Sequence, residues 1–342
     1  MRIFDTETDG LLDELTTIHC LVVRDVDTKA VFRYNTQTEG DIERGLRDLM
    51  DYQSQGNFIV GHKVIGFDIP AITKVYPWFK VDESLVHDTL VWSRLVWPDR
   101  KEQDAAMMRG GRMEKRYYNQ HSLAAWGSRL GCPKDYYAQR CKDAGIDPWA
   151  QWSMEMEDYC VQDTATNLKL LEVLLEKKFS PQSIELEHAV DFILCRQMRR
   201  GFAFDVNAAA TLYGKLAQRR AELEEELATI FPPVFIKDRE FTPRVNSNKF
   251  GYTKDVPLTL IRRVEFNPGS RDHIAFRLKR KYGWEPDEFT DDGKPKVDET
   301  VMRALTYPEA PVLFEYLLVT KRIGQVSEGN EAWLNHVRGG RI

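Results

Sequence analysis

The chain opens on a strand that runs directly into acid. Ile3-Phe4 starts an apolar strand, and Asp5-Thr6-Glu7-Thr8-Asp9-Gly10 follows at once. Successive side chains on a strand point to opposite faces, so Asp5 and Glu7 share one face. Two like charges on one face repel unless a counter-charge lies between them. Mg²⁺ takes oxygen ligands and is often held by one or two carboxylates. The same residues also read as a strand ending in a polar turn at Asp9-Gly10. Asp-x-Glu is a common pair, and only the rest of the chain can separate the two readings.

A length of 342 residues suits roughly two domains. Eight Trp and 13 Tyr supply core and argue against disorder. No apolar signal segment opens the chain, and charges interrupt every apolar run before about 18 residues. The expectation is therefore a soluble, cytoplasmic protein with no membrane partner. The five cysteines are dispersed and form no C-x-x-C pair, which suggests neither a zinc site nor a disulfide framework. The net charge of −5 conceals a basic stretch, residues 231–285, with 12 Lys and Arg against 6 Asp and Glu. Such a stretch can meet phosphate or can be a solvated face.

Read in order, residues 1–5, Ile18–Val26 and Ala30–Tyr34 are strands, the last two joined by a short turn at Asp27-Thr28-Lys29. Asp41–Tyr52 is an amphipathic helix, with Ile42, Leu46 and Leu49 at helical spacing. Asn57–Val60 and Leu85–His87 are short buried strands, each followed by a helix, Phe67–Tyr76 and one from Asp88. This alternation predicts an α/β fold, a mixed sheet with helices on its faces. Residues 99–120 are polar and read as a loop. His121–Leu130 and Gln151–Phe179 are helices. After Ser180-Pro181 the pattern becomes nearly pure helix: Ile184–Arg200, then a helix capped by Asp205 and running to about Ile230. Residues 232–265 read as irregular and basic. Helices near Arg271–Tyr282 and over Val312–Gln325 follow.

Three further residues join the opening pair. Phe67-Asp68 begins a helix, and Tyr159-Cys160-Val161-Gln162-Asp163 puts Tyr159 and Asp163 at i, i+4 on one helix face. Alone, Asp68 is an ordinary helix-start acid, Asp163 a solvated helix residue and Tyr159 a core aromatic with a wet tip. In order, the three motifs resemble those of the ribonuclease-H-like 3′–5′ exonucleases that use four acids and a tyrosine. The resemblance implies two Mg²⁺ ions, with Mn²⁺ as the alternative. Asp5, Glu7 and Asp163 would hold the ion that carries the nucleophilic water, and Asp5 and Asp68 the ion at the leaving 3′-oxygen. Tyr159 would orient the water. An unshifted tyrosine is neutral at pH 7, which suits positioning better than base catalysis. Two metals about 4 Å apart stabilise the attacking and leaving oxygens of an in-line displacement together, and dense carboxylates are what hold them. One departure stands out: the family's second motif usually has Asn five residues before its Asp, and here that residue is Lys63, which could contact a phosphate instead or slow the reaction by competing with a metal. His62 reads as a hydrogen-bonded loop histidine, since Mg²⁺ prefers oxygen.

The second half narrows the family. Met198-Arg199-Arg200-Gly201-Phe202-Ala203-Phe204-Asp205 resembles the junction that opens the polymerase part of family A DNA polymerases. Phe266-Asn267-Pro268-Gly269-Ser270-Arg271-Asp272-His273 and Lys321-Arg322-Ile323-Gly324-Gln325 resemble their thumb segments. His87-Asp88-Thr89-Leu90 and Ala125–Gly131 are similar to stretches of the T-seven-type phage replicative polymerases. The resemblance implies a 3′–5′ proofreading exonuclease domain over 1–180 and a mainly helical thumb over 181–342. It also implies DNA contacts at Asn267, Ser270, Arg271, His273, Lys321, Arg322 and Gln325, with primer–template and the primer 3′ end as partners. The palm motifs D-x-S-x-x-E and H-D-E and the fingers helix are not in this sequence. Arg338-Gly339-Gly340-Arg341-Ile342 reads as a hairpin turn with its second strand barely begun, and a lone cut hairpin is not stable in water. The expectation is a fragment, or one half of a split polymerase whose palm–fingers chain completes that strand. The thumb position that captures host thioredoxin in the T-seven-type enzymes is short and basic here, so thioredoxin binding does not carry over; direct contact with the DNA backbone suits it instead. The alternatives are a free-standing exoribonuclease, opposed by the thumb-like half, and a non-catalytic DNA-binding subunit of a replisome, opposed by the five site residues.

Overall fold

Ile3 and Phe4 are fully buried on opposite faces of β1 (Arg2–Thr8), the central strand of a five-stranded sheet. A computed structural model describes residues 1–133, 136–290 and 292–342. They fall into two units, Met1–Arg200 and Gly201–Ile342. In the first, β1 is followed by β2 (Ile18–Asp25), β3 (Val31–Asn35), α1 (Asp41–Ser54), β4 (Ile59–Gly61), α2 (Asp68–Val75), β5 (Val86–Asp88) and α3 (Thr89–Val96). Among the described residues α4 (Lys101–Arg109), α5 (Leu123–Arg129), α6 (Tyr137–Asp143), α7 (Met154–Glu176) and α8 (Pro181–Arg200) follow. The strand order is β3-β2-β1-β4-β5, antiparallel from β3 to β1 and parallel from β1 to β5. The expected mixed sheet with helices on its faces is what forms.

The two faces bury different sets. Phe4, Val23, Ile59 and Val86 pack with Ile42, Leu46 and Leu49 of α1 and Ile69 and Ile72 of α2. Ile3 and Val60 pack with Trp92, Trp126 and the α7 leucines Leu170, Leu171 and Leu174. Alternation along β1 therefore turns Asp5 and Glu7 toward the α7 side and Thr6 toward the α2 side. The parallel partner β4 is only three residues long and pairs with β1 at Arg2 and Ile3 alone. It stops at Gly61, where a Cβ would stand 1.9 Å from Val64 Cγ1 and 3.1 Å from the Phe4 carbonyl oxygen. Only glycine allows the chain to turn under β1 at this point. Beyond Ile3, β1 thus has one open edge.

Several expectations are corrected. Residues 99–120 contain α4, hidden by their polarity; its Asp104 is fully buried and grips Arg129 through two bonds of 3.0 and 2.7 Å. The short helix α6 was not expected. Helix α8, which precedes the division into units, packs on α3 and β5. Its His188 accepts the Asp88 N–H at 2.7 Å.

In the second unit, α9 (Val206–Ile230) starts as expected at Asp205, which accepts the Ala208 N–H at 2.8 Å. Residues 232–265 are not irregular: β6 (Val234–Phe241) and β7 (Leu258–Val264) form an antiparallel ribbon with a register shift at Lys237/Arg239. Charged residues on both strands mask the alternation of Val234, Ile236, Leu258 and Leu260. Then come α10 (Arg271–Tyr282), the unexpected α11 (Glu299–Ala304) and α12 (Ala310–Ile323). Leu223 and Leu227 of α9 pack with Ile274 and Leu278 of α10 and Leu313 and Ile323 of α12. The turn at Gly339-Gly340 is present, with φ of 55° and 73°, but the strand after it is paired. Phe202 and Ile342 exchange N–H···O bonds of 2.8 and 3.0 Å, and the Phe204 N–H donates to Gly340 at 2.9 Å.

Candidate metal centre

Of the four expected acids, two stand close together on the open edge of β1: among the described residues the close group is Asp5, Glu7 and Cys160, without Asp68 or Asp163. Asp5 and Glu7 stand on its α7 side, half-buried, opposite Val22 and Cys20 of β2. From α7, the fully buried Cys160 reaches them: its Sγ lies 3.5 Å from Asp5 Oδ2, in donor geometry. One ligand atom each from Asp5, Glu7 and Cys160 fall within 4.8 Å of one another. One helical turn on, Asp163 is buried, and Arg24, the β2 partner of Ile3, bonds the Thr164 hydroxyl and the Val161 carbonyl. α7 therefore runs antiparallel to β1, with Tyr159, Cys160 and Asp163 along its acidic end. The Tyr159 ring is flanked by Tyr137 and Trp149, with centroids 5.7 and 6.2 Å away. Neighbouring rings at that spacing restrict its rotamer.

Asp68 arrives from the other face. The Arg2 N–H pairs with Phe58 on the β4 side, so by alternation the Thr6 N–H points the same way, past the end of β4. It donates to Asp68 Oδ1 at 3.2 Å, and the Thr6 hydroxyl donates to the same oxygen at 2.6 Å. Burial pushes the Asp68 carboxyl up to about 6, against these two bonds, and the nearby Asp88 charge adds to the rise. Asp9 is not part of the close group. It accepts from Thr16 and Thr17, and those bonds outweigh its burial and hold it down at about 2.

The donor set fits a hard divalent cation. Burial, Cys20 and the Asp5 and Glu7 charges all push the Cys160 thiol well above its ordinary value, so it stays a protonated donor rather than a thiolate ligand. What remains is carboxylate oxygen, the chemistry Mg²⁺ and Mn²⁺ take. Asp68, buried with a raised pKa, is the carboxylate a cation would relieve most.

The chain was compared with known proteins. No family model matches it. It is 31% identical to the DNA-directed DNA polymerase of Escherichia phage T7 across 98% of this chain and 58% of that protein. The DNA-directed DNA polymerase of Enterobacteria phage T3 matches with the same identity and coverage. The chain is a relative of the family A phage DNA polymerases. It spans a little over half, 58%, of the length of these curated relatives. Among solved structures, the POL domain of Pol1 from M. smegmatis, in complex with DNA primer-template and dNTP, shares the fold at a TM-score of 0.57 and 14% identity, over all of this chain and 47% of that one.

Against these polymerase relatives, the remaining expected residues sort as follows. Asn267, Ser270 and His273 build the start of α10: the Ser270 hydroxyl accepts the His273 N–H at 3.4 Å, and the His273 ring accepts the Asn267 N–H at 3.1 Å. Arg271 is exposed beside them. At the end of α12, Lys321 pairs with Glu299 at 3.1 Å and Arg322 donates to Gln325 at 2.8 Å. Lys63 is exposed and left-handed, with φ of 69°. Asn tolerates that conformation and Lys pays a steric cost in it. Lys63→Asn is expected to stabilise the protein by roughly 1 kcal/mol, read as a higher urea midpoint with unchanged slope.

Sequence reasoning missed Asp88 as part of this region. It is buried and accepts three backbone N–H groups: Lys63 at 2.8 Å, Ile65 at 3.1 Å and Leu90 at 2.9 Å. It thereby clamps the loop that delivers Asp68. Next to it, Thr89 donates to Asn167 of α7 at 2.7 Å and lies 2.9 Å from the His62 ring, so His62 is the bonded loop histidine expected. An acid followed by a helix signals a cap, and Asp88 does cap α3; nothing local signals its grip on residues 63 and 65. Asp88→Ala orphans all three amides and is expected to cost roughly 3 kcal/mol or more in denaturant melts.

Proposed function

We propose that this chain carries a metal-dependent 3′–5′ proofreading exonuclease, joined to a thumb that grips primer–template, as part of a phage family A DNA polymerase. The reading takes residues 1–180 as a ribonuclease-H-like exonuclease domain and 181–342 as the thumb segment. The observation that carries it is the acid pair Asp5 and Glu7 on one face of the open edge of β1, with buried Asp68 bonded to Thr6 of the same strand. Like charges side by side cost repulsion and a buried carboxylate costs desolvation, and a bound cation offsets both.

In this reading Asp5, Glu7, Asp68 and Asp163 hold two divalent ions, Mg²⁺ or Mn²⁺. When bound, these supply charge stabilisation for the attacking and leaving oxygens of the scissile phosphodiester. The protein's own residues do the rest. Thr6 fixes the orientation of Asp68 through two bonds to one oxygen, which leaves the other oxygen to turn toward the ions. Tyr159, held between Tyr137 and Trp149, orients the attacking water. Lys63, exposed at the mouth of the Asp68 loop, meets a substrate phosphate.

The thumb reading rests on the polymerase relatives and on the basic ribbon of β6 and β7. Lys237, Arg239, Arg262 and Arg263 on its strands suit contact with the DNA backbone, together with Arg271, Lys321 and Arg322 elsewhere in the unit. DNA synthesis itself would need a palm and fingers, whose motifs this sequence does not contain. Among the described residues no helix is long and apolar enough to cross a membrane.

The test is a 3′-labelled single-stranded oligonucleotide incubated with the protein. Mg²⁺-dependent release of mononucleotides, abolished by chelator and faster on DNA than on RNA, is the expected result. Release that ignores chelator would reject the metal site, and preference for RNA ends would favour the exoribonuclease.

A further inference from the structure

We infer that Cys160 is a positioning residue of the metal centre: its thiol proton holds Asp5 in the ligating orientation before a cation arrives. The inference rests on the reading of Asp5 and Glu7 as metal ligands and assigns a role to a side chain outside that ligand set.

Three observations carry it. The first is contact: Cys160 Sγ lies 3.5 Å from Asp5 Oδ2, in donor geometry. The second is rigidity. Cys160 is fully buried and packs with Cys20 and Val22, and these are the β2 residues that stand opposite Glu7 and Asp5. The sulfur is thus docked on the neighbouring strand at the level of the acid pair. A donor fixed by packing fixes its acceptor. The third is placement. Cys160 lies between Tyr159 and Asp163 on α7, so the helix that delivers the site's tyrosine and its last acid also delivers this contact. Asp5 and Glu7 share a strand face and repel, so a donor on one of them offsets part of that repulsion. A thiol is a weak donor. It can hold a carboxylate oxygen in place without competing strongly with a divalent ion for it.

The role differs from that of a ligand, and the difference is measurable. Mn²⁺ alone, without nucleic acid, is titrated into the full chain and its binding followed by electron paramagnetic resonance. Cys160→Ala is expected to weaken binding about tenfold, the usual scale for a partner that orients a ligand. Cys160→Ser restores an O–H donor and is expected to recover most of that loss. In the nuclease assay the alanine variant should need correspondingly more Mg²⁺, with a rate at saturating Mg²⁺ near that of the wild type. Should alanine cost the fold in a thermal melt, Cys160→Val fills the space without a donor and takes its place. Unchanged Mn²⁺ affinity in the donor-free variant overturns the inference and leaves the metal centre standing. Equal weakening in the alanine and serine variants, both folded, also overturns it, since packing alone then explains the effect. A wild type that binds no Mn²⁺, or an Asp5→Ala variant that binds it normally, removes the metal centre itself and the inference with it.

Discussion

Replacing Asp5 and Glu7 together by alanine should reduce Mg²⁺-dependent release of 3′ nucleotides by roughly a thousandfold or more. A bound divalent ion contributes several kcal/mol of transition-state charge stabilisation, and each 1.36 kcal/mol is about tenfold in rate. Both proposed ions use Asp5, so the double variant loses its grip on the pair at once. The fold should survive, because both side chains are half-buried on the open edge of β1 and outside the apolar clusters on either face. Removing two like charges from one strand face relieves repulsion, so the thermal midpoint in chelator should hold or rise. Loss of activity with an intact melt is the signature to look for. A double variant that degrades the oligonucleotide at the wild-type rate would move the chemistry elsewhere in the chain.

Asp68→Asn is expected to separate function from stability in the opposite sense. The Asp68 carboxyl is raised to about 6 from 3.8, chiefly by burial. The folded state thus keeps its proton between about pH 4 and 6, where the unfolded chain has lost it. Metal-free stability therefore falls as pH rises through that window and stays low above it. Asn is nearly isosteric, still accepts both Thr6 bonds at its oxygen and never ionises. In chelator at pH 7.5 it should be more stable than wild type by roughly 2–3 kcal/mol, and at pH 4 the two should nearly coincide. Mg²⁺ should then stabilise the wild type more than the variant, which keeps the acids of only one of the two ions, while nucleotide release falls by orders of magnitude. Denaturant melts at the two pH values, with and without Mg²⁺, check all of this. Equal stability at both pH values would mean that burial does not strain this carboxylate.

The contrast between these two acids explains what could be read from the sequence. Asp5 and Glu7 were legible because the two-residue period of a strand fixes their common face whatever the surroundings. Tyr159 and Asp163 were legible by the four-residue step of a helix, and Asp205 by its cap. Asp68 was legible as a site candidate only through its place in a series of motifs; its bond to Thr6 depends on β4 stopping early, which no local pattern announces. Asp88 and Cys160 are harder still. Their partners lie 23–25 and 155 residues away, and their residue types have common local uses. The helix α4 and the ribbon of β6 and β7 were missed for a different reason: charged side chains on exposed faces obscured the apolar period, and the anchoring contact of α4, Asp104 on Arg129, is long-range.

The pairing of residues 202–204 with 340–342 also has a practical side. Residues 202–204 and 340–342 lie on one short antiparallel ladder, with the Arg341 guanidinium donating to the Gly201 carbonyl at 2.7 Å. A ladder that joins segments so far apart in sequence closes only when the chain between them is folded. A pair of fluorophores set beside residues 202 and 340 would therefore report, by their separation, whether that intervening chain is folded.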